Sequence, residues 1–360
     1  MATQAAPQAA PKGEYRGLAY RNNADLKVWL AKRPSEKALE PDLPIIDPHH
    51  HLWHTPQRGL YLLPELLADL GGGHNIVSTV FLECQSMFRA SGPEEMRPVG
   101  EVEFVNGTAA MSASGAYGKT RICEAIIGWA DLMLGARVRE VLQAEIAAGG
   151  GRFRGTRYGT SYDEGLAGKF TSRTMPPHRL LDPKFREGFA ELGKLGLTFD
   201  SWHFHPQLPD AVDLARAFPG TTIIIDHVGG VLGVGQYQGK NAEIMPQWKK
   251  SIAALAACPN VNIKLGGLGM TSFGFGFEHR DAPPSSQELA TTWRPYIEPC
   301  IEAFGPSRCM FESNFPPDKQ SCGYTELWNA FKHITSGASA AEKKALYSGT
   351  AARVYRMTVP

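Results

Sequence analysis

From residue 43 onward, short runs rich in apolar and β-branched residues alternate with longer stretches whose apolar residues recur at helical spacing. Eight short runs stand out, over residues 43–49, 76–83, 121–129, 152–158, 197–204, 221–227, 260–264 and 308–313. The spacing predicts helices between them, among others over 137–148, 184–195, 211–218, 245–257, 287–304 and 324–334. A strand–helix unit repeated eight times closes most simply as a (β/α)8 barrel, an α/β fold in which each parallel strand is buried on both faces. Upstream, residues 23–33 read as a short helix and 34–44 as a connector broken by proline. The predicted organisation is therefore an N-terminal tail and connector over 1–43, with a loose, Ala/Pro/Gln-rich start over 1–13, and a barrel over 44–356.

Composition narrows the function. At 360 residues the chain accommodates one large barrel with a deep core. A net charge of +1 and the absence of a basic stripe argue against a nucleic-acid partner. Six scattered cysteines without a Cys-x-x-Cys pair suggest buried, reduced thiols instead of a disulfide framework or zinc ribbon. The N-terminus lacks the basic start and apolar centre of a secretory signal, and no apolar run approaches the roughly 18 residues of a membrane span. The expectation is a cytoplasmic protein with a small-molecule substrate, no nucleic-acid or membrane partner, and a composition compatible with a homo-oligomer.

Barrel enzymes place their chemistry at the carboxyl ends of the strands. Here those ends carry His49 and His51, Glu83 with Gln85, Asp131, Arg154 with Arg157, His203 with His205, His227, Lys264, and Glu312 with Asn314. The first run reads Ile45-Ile46-Asp47-Pro48-His49-His50-His51-Leu52-Trp53. Strand alternation places Asp47, His49 and His51 on one face and His50 on the other. Neutral imidazole is the commonest protein metal ligand, so a His-x-His pair on one face can chelate one cation. Arg157 either clamps a substrate carboxylate or pairs with Glu83 or Asp131; Lys264 is either a substrate contact or a barrel-filling cation with a carboxylate partner. Trp53, Phe88, Trp129, Tyr158 and Trp202 crowd the same rim. The loop 266–284 holds Phe273-Gly274-Phe275-Gly276-Phe277, which reads as a lid over a planar ligand, with core packing or an interface as an equal alternative. His279 and Arg280 at its end are placed to reach the substrate. The glycine clusters lack the spacing of a dinucleotide fingerprint, and no phosphate-loop, Gly-x-Ser-x-Gly or His-Glu-x-x-His motif is present.

Taken in order, Asp47-Pro48-His49-His50-His51, Gly151 to Arg157 (Gly-Arg-Phe-Arg-Gly-Thr-Arg), His205-Pro206-Gln207-Leu208, Asp226-His227-Val228-Gly229-Gly230 and Phe311-Glu312-Ser313-Asn314-Phe315-Pro316 resemble the amidohydrolase superfamily. The likeness is nearest the amidohydrolase 2 group, which includes sugar lactonases and the lactonase of 2-pyrone-4,6-dicarboxylate. It runs from about residue 44 to 355. The resemblance implies a divalent cation, zinc being the first choice, held by His49, His51, His205 and His227. It also implies a strand-eight Asp that assists as a base. His203 shares the parity of His205 and remains a second candidate for the strand-five position.

The strand-eight Asp is replaced by Asn314, whose amide neither takes a proton near neutral pH nor supplies negative charge. The group also contains lactonases that keep the histidines and work without metal, so the resemblance leaves the cofactor open. Two residues stand close enough to compensate. Asp318 lies four positions on and could swing back; Glu312 shares a face with Asn314, about 6.5 to 7 Å away along the strand. Glu312 is either a charge relay from one layer deeper or a structural partner of Lys264 or Arg157. The reading is a hydrolase that opens a lactone or cyclic ester carrying a carboxylate. His227, His203, Glu312 and Asn314 are its candidate catalytic residues, and Arg157, Arg154, Lys264, Trp53, His279 and Arg280 its substrate contacts. Decarboxylation or hydration of an aromatic-derived acid is the second reading. A binding barrel with a degenerate site is the third.

Overall fold

The computed structural model describes residues 17, 19, 21–166 and 175–358; the tail expected to be loose lies outside them. Eight parallel strands form one sheet in sequence order: β1 Ile45–His50, β2 Ile76–Leu82, β3 Arg121–Gly128, β4 Phe153–Gly159, β5 Thr198–Trp202, β6 Ile223–Ile225, β7 Val261–Leu265 and β8 Cys309–Phe311. The two edges meet through a parallel bridge between His50 and Phe315. The His51 amide donates to the Phe315 carbonyl (2.8 Å) and the Asn314 amide to the His49 carbonyl (2.9 Å), which closes the circle beside the histidine cluster.

After an N-terminal helix α1 (Asn23–Leu30), one longer helix follows each strand: α2 Leu63–Leu70, α3 Val99–Ala113, α4 Val138–Ala148, α5 Pro183–Lys194, α6 Leu208–Ala217, α7 Asn241–Ala256, α8 Ser286–Phe304 and α9 Tyr324–Ile334. The molecule is thus a (β/α)8 barrel. Local chemistry sets the helix starts. Asp182 caps α5 by accepting from the Lys184 amide (2.8 Å), with Pro183 already holding a helical φ at the first position. Ser285 and Glu288 cap α8 reciprocally. Among the described residues no helix is long and apolar enough to cross a membrane.

Strand alternation divides the core in two. Phe81, Ile126, Ile223, Ile225 and Phe311 face outward to the helices. Ile46, Val80, Leu82, Ile127, Ile224 and Met310 face inward, where Ala351, Val354 and Tyr355 from the C-terminal turn plug the barrel floor. Each fully buried side chain of this size contributes about 1.5–3 kcal/mol. With the floor plugged, the barrel interior opens to a ligand at its carboxyl-end mouth.

One parity expectation fails. The β1–β2 ladder shifts register between Asp47 and His50, where Pro48 has no amide hydrogen to donate. Asp47 therefore does not share the inner face with His49. It accepts from the Tyr324 hydroxyl of α9 (2.9 Å) and from the Ser313 amide (3.0 Å). His49 and His51 keep a common inward face, while His50 points outward to Thr79 (2.8 Å).

Candidate active site

A cavity of about 840 Å³ opens at the mouth, within the size range of small-molecule sites. His51, Trp53, Glu83, Trp129, Arg157, Trp202, His227 and Asn314 line its inner part. Two imidazoles there have their tautomers set from behind. His51 Nδ1 donates to the Leu82 carbonyl (2.9 Å) and His227 Nδ1 to Glu312 Oε1 (2.7 Å), so each keeps its Nε2 lone pair free. His227 also donates its backbone amide to Glu312 (3.2 Å) and holds a left-handed φ of 55° just past β6. The backbone beside it must be glycine: a Cβ on Gly267, itself at φ +68°, would overlap the His227 ring.

His49 sits one layer deeper, its ring centroid 4.5 Å from that of His227 and 5.0 Å from that of His51. Its Nε2 faces Arg157 Nη1 (3.2 Å) and its Nδ1 faces Lys264 Nζ (3.2 Å). Burial and then the Lys264 charge keep its pKa well below that of free histidine. Burial likewise takes His227 down to about 3, against the pull of Asp226. All three imidazoles are therefore neutral near pH 7, which is the form that ligates or accepts a proton.

Arg157 donates Nε to Glu83 Oε1 (2.8 Å) and Nη2 to the Glu83 carbonyl, the first of the two pairings expected for it. Lys264 lies inside the barrel, 2.7 Å from Asp200 and 3.1 Å from Asp226, and is the barrel-filling cation. Glu83, Asp200, Asp226 and Glu312 are all buried, and among the described residues Arg157 and Lys264 are the Arg and Lys side chains paired with them. If all four are ionised, this interior holds two excess negative charges. Burial, eased by Lys264 but reinforced by Asp226 and Asp200, accordingly drives the Glu312 carboxyl well above the usual range.

The same arrangement fits a divalent cation. His49, His227 and Glu312 offer ligand atoms that lie within 4.8 Å of one another. Glu312 Oε2 is buried, 2.7 Å from His49 Nδ1, yet makes no hydrogen bond of good geometry. Two neutral imidazoles and a carboxylate are the donor chemistry of a first-row divalent site. His51 lies beside this group with Nε2 open to the cavity.

Not every candidate reaches the mouth. His205 begins a short turn after β5, where its Nδ1 accepts from the Leu232 amide (3.2 Å) and its ring meets Tyr237, so it stands apart from the three donors. His203 is buried with Nδ1 on Ser201 Oγ (3.0 Å) and does not line the cavity. Arg154, at the start of β4, donates to the carbonyls of Tyr355 and Gly151 (both 2.6 Å) at the opposite end of the barrel. Arg280 pairs with Glu288 (2.9 Å) and His279 lies against Glu278 (3.4 Å), both away from the cavity. The aromatic loop also turns away: Phe273 and Phe277 are buried and stack through Phe275 onto Tyr296 of α8. Core packing is its role, not the lid. Trp53 does line the cavity, stacked on His51 with its indole N–H buried and unpaired. Asp318 does swing back, accepting from Asn314 Nδ2 (2.7 Å) and the Gly269 amide (2.7 Å). The roles of Asp200 and Asp226 were missed, although Asp226 sits in the quoted Asp-His-Val-Gly-Gly motif.

A (β/α)8 barrel with histidines, a buried carboxylate and an arginine converging on one mouth has the layout of a barrel enzyme. The amidohydrolase family model matches residues 46–357, and the chain belongs to that family. It is 32% identical over 341 residues to the Sinorhizobium fredii protein y4mH, covering 88% of this chain and 99% of the relative. It is 25% identical over 333 residues to an L-fucono-1,5-lactonase of Burkholderia multivorans, covering 88% and 97%. Among solved structures, an amidohydrolase from Burkholderia multivorans with bound zinc superposes with a TM-score of 0.63 at 23% identity, over 87% of this chain and 99% of that one.

Proposed function

We propose that this amidohydrolase opens a lactone by adding water across its ring ester. The reading rests on one observation above all: His51 presents an open Nε2 to a cavity whose inner wall also holds Arg157 and His227, with His49 and Glu312 behind. The likeness to a sugar lactonase supports the choice of bond. A divalent ion, which we take to be zinc, would be held by His49, His227 and Glu312, and would polarise an ester carbonyl and ease the ionisation of water.

The chain's own residues supply the rest. His51 Nε2 takes a proton from the attacking water, because its Nδ1 is already committed to the Leu82 carbonyl. The water oxygen bonds to the carbonyl carbon, and Arg157, fixed by Glu83, supplies positive charge for the oxyanion that forms. When the ring C–O bond breaks, His51 returns the proton to the departing ring oxygen. One water is added and one hydroxy acid is released. Trp53, Trp129 and Trp202 flank the site with flat apolar surface that excludes other water.

The test is a titration of acid release from a panel of sugar lactones, before and after chelation, with His51→Ala alongside. Acid release is expected, falling on chelation, with kcat reduced about 10²–10⁴-fold in the variant. Carbon dioxide release from aromatic acids in place of lactone opening would overturn the reading.

A further inference from the structure

The cavity has a second tier that the family match does not include. That match begins at residue 46, yet part of the cavity wall comes from residues before it. Asn23, Leu26, Lys27 and Leu30 of α1 all line the cavity, and their i, i+3, i+4, i+7 spacing puts them on one helical face. This segment is tied across the mouth. Thr271 Oγ1 donates to the Gly17 carbonyl (2.7 Å), and Arg21 and Gln320 exchange two hydrogen bonds (2.8 and 3.1 Å). Trp29 Nε1 donates to the Arg280 carbonyl (2.8 Å) and Arg33 Nε to the Pro283 carbonyl (2.9 Å). A small hairpin, Trp53–Thr55 with Gly59–Tyr61, whose turn carries Arg58, abuts α1, Asn23 Nδ2 donating to the Leu60 carbonyl (2.5 Å).

Four cations line this cavity: Lys27, Arg58, Arg157 and Lys319. Arg157 is paired with Glu83, and Lys319 with Asp69 (2.7 Å). Arg58 donates to the Cys84 carbonyl (3.0 Å) and lies over the Trp53 ring at 5.1 Å, and no described carboxylate lies within ion-pair distance of it or of Lys27. Stacking fixes the Arg58 plane without neutralising it. Three carboxylates, Glu65, Asp69 and Glu83, line the same cavity, and Glu65 accepts from the Leu62 amide (2.9 Å). Among the described residues Lys27 and Arg58 are thus the two lining cations without an ion-pair partner, one on a segment outside the family match and one on the hairpin packed against it.

We propose that the N-terminal strap and the hairpin form an anion-recognition subsite, in which Lys27 and Arg58 hold a carboxylate of the substrate at the end remote from the reacting ester. This rests on the lactonase reading above and specifies it: the substrate is a lactone bearing a carboxylate outside the ring. A bidentate guanidinium contact backed by an ammonium selects such a substrate over its neutral counterpart.

The experiment compares glucono-γ-lactone with glucaro-γ-lactone, which carries a carboxylate where the former has a primary alcohol, in the full chain and in Lys27→Met and Arg58→Met. The ratio of kcat/KM for the acidic over the neutral lactone should fall about fivefold in each variant and further in the double variant. Both lactones being hydrolysed with a ratio that neither variant moves would overturn the subsite while leaving the hydrolase intact. If neither lactone is opened, the hydrolase reading has failed for this class and calorimetry with glucarate and gluconate decides the subsite. Glucarate affinity that weakens about fivefold or more in each variant supports it, and glucarate binding that is absent or insensitive to both overturns it.

Discussion

Glu312 joins two imidazoles that strand geometry alone would leave independent. Its Oε1 anchors the His227 tautomer, while its Oε2 lies 2.7 Å from His49. Glu312→Gln preserves an acceptor for His227 but removes the negative charge. The expected result is metal content below one equivalent by elemental analysis together with a loss of kcat of at least about 10- to 100-fold, because the residue both orients His227 from behind and offers one of the three ligand atoms. Full metal occupancy with unchanged kcat would show that the charge is not needed. The adjacent glycine gives a second, purely steric probe. Gly267→Ala places a methyl against the His227 ring at a positive φ, at a cost of about 1–3 kcal/mol in strain. We expect kcat to fall while secondary structure, followed by circular dichroism, stays that of the wild type; a variant with normal turnover would mean that His227 can shift without consequence.

At the level of elements, strands were easier to read than the loops that complete the site. β2, β3 and β7 lie within a few residues of their expected bounds, because their β-branched and apolar residues cluster over a strand's length. The short α2 and the glycine-interrupted α3 were not among the helices expected, since neither offers a long uninterrupted apolar stripe. Arg154 and Arg157 stand three residues, about 10 Å, apart along β4, so only Arg157 reaches the mouth. The phenylalanine loop reads equally as a lid or as core packing from its glycines and aromatic area, and what decides for packing, its docking onto Tyr296, is a tertiary contact. The cover is the strap, whose anchors are backbone carbonyls that leave no sequence signature. Trp29 is its largest buried anchor. Trp29→Ala removes that packing and the Arg280 hydrogen bond, a loss of about 3–5 kcal/mol if fully local. Limited proteolysis should then cut within residues 17–33 while the barrel stays resistant. Simultaneous loss of the barrel would instead place the strap inside one cooperative unit.

The whole molecule carries buried titratable groups that pull stability in opposite directions as pH changes. His74, His203 and His205 each fall to about 4, burial being the first cause in every case, whereas an unfolded histidine titrates near 6.5. Between about pH 6.5 and 4 the unfolded chain therefore binds protons that the fold refuses, and stability drops as the solution is acidified. Glu101 does the reverse. Burial, reinforced by the Glu83 charge, raises it to about 8, although its Oε1 accepts from the Cys84 and Ser86 amides (3.1 and 2.8 Å). From about pH 4.5 to 8 the fold retains a proton there that the unfolded chain has lost, so alkalinisation costs stability. His50, also taken to about 4, and His227, to about 3, add to the acid side. Below pH 6.5 these buried histidines act against the buried acids; above it Glu101 and the other carboxyls raised by burial, Glu312 among them, act against little. Thermal unfolding in buffers from pH 4 to 8 should accordingly give a midpoint that peaks near pH 6.5. Glu101→Gln, which keeps an acceptor for both amides, should lessen the slope of the alkaline limb and leave the acid limb standing. An alkaline limb of unchanged slope in this variant would assign it wholly to the other buried acids.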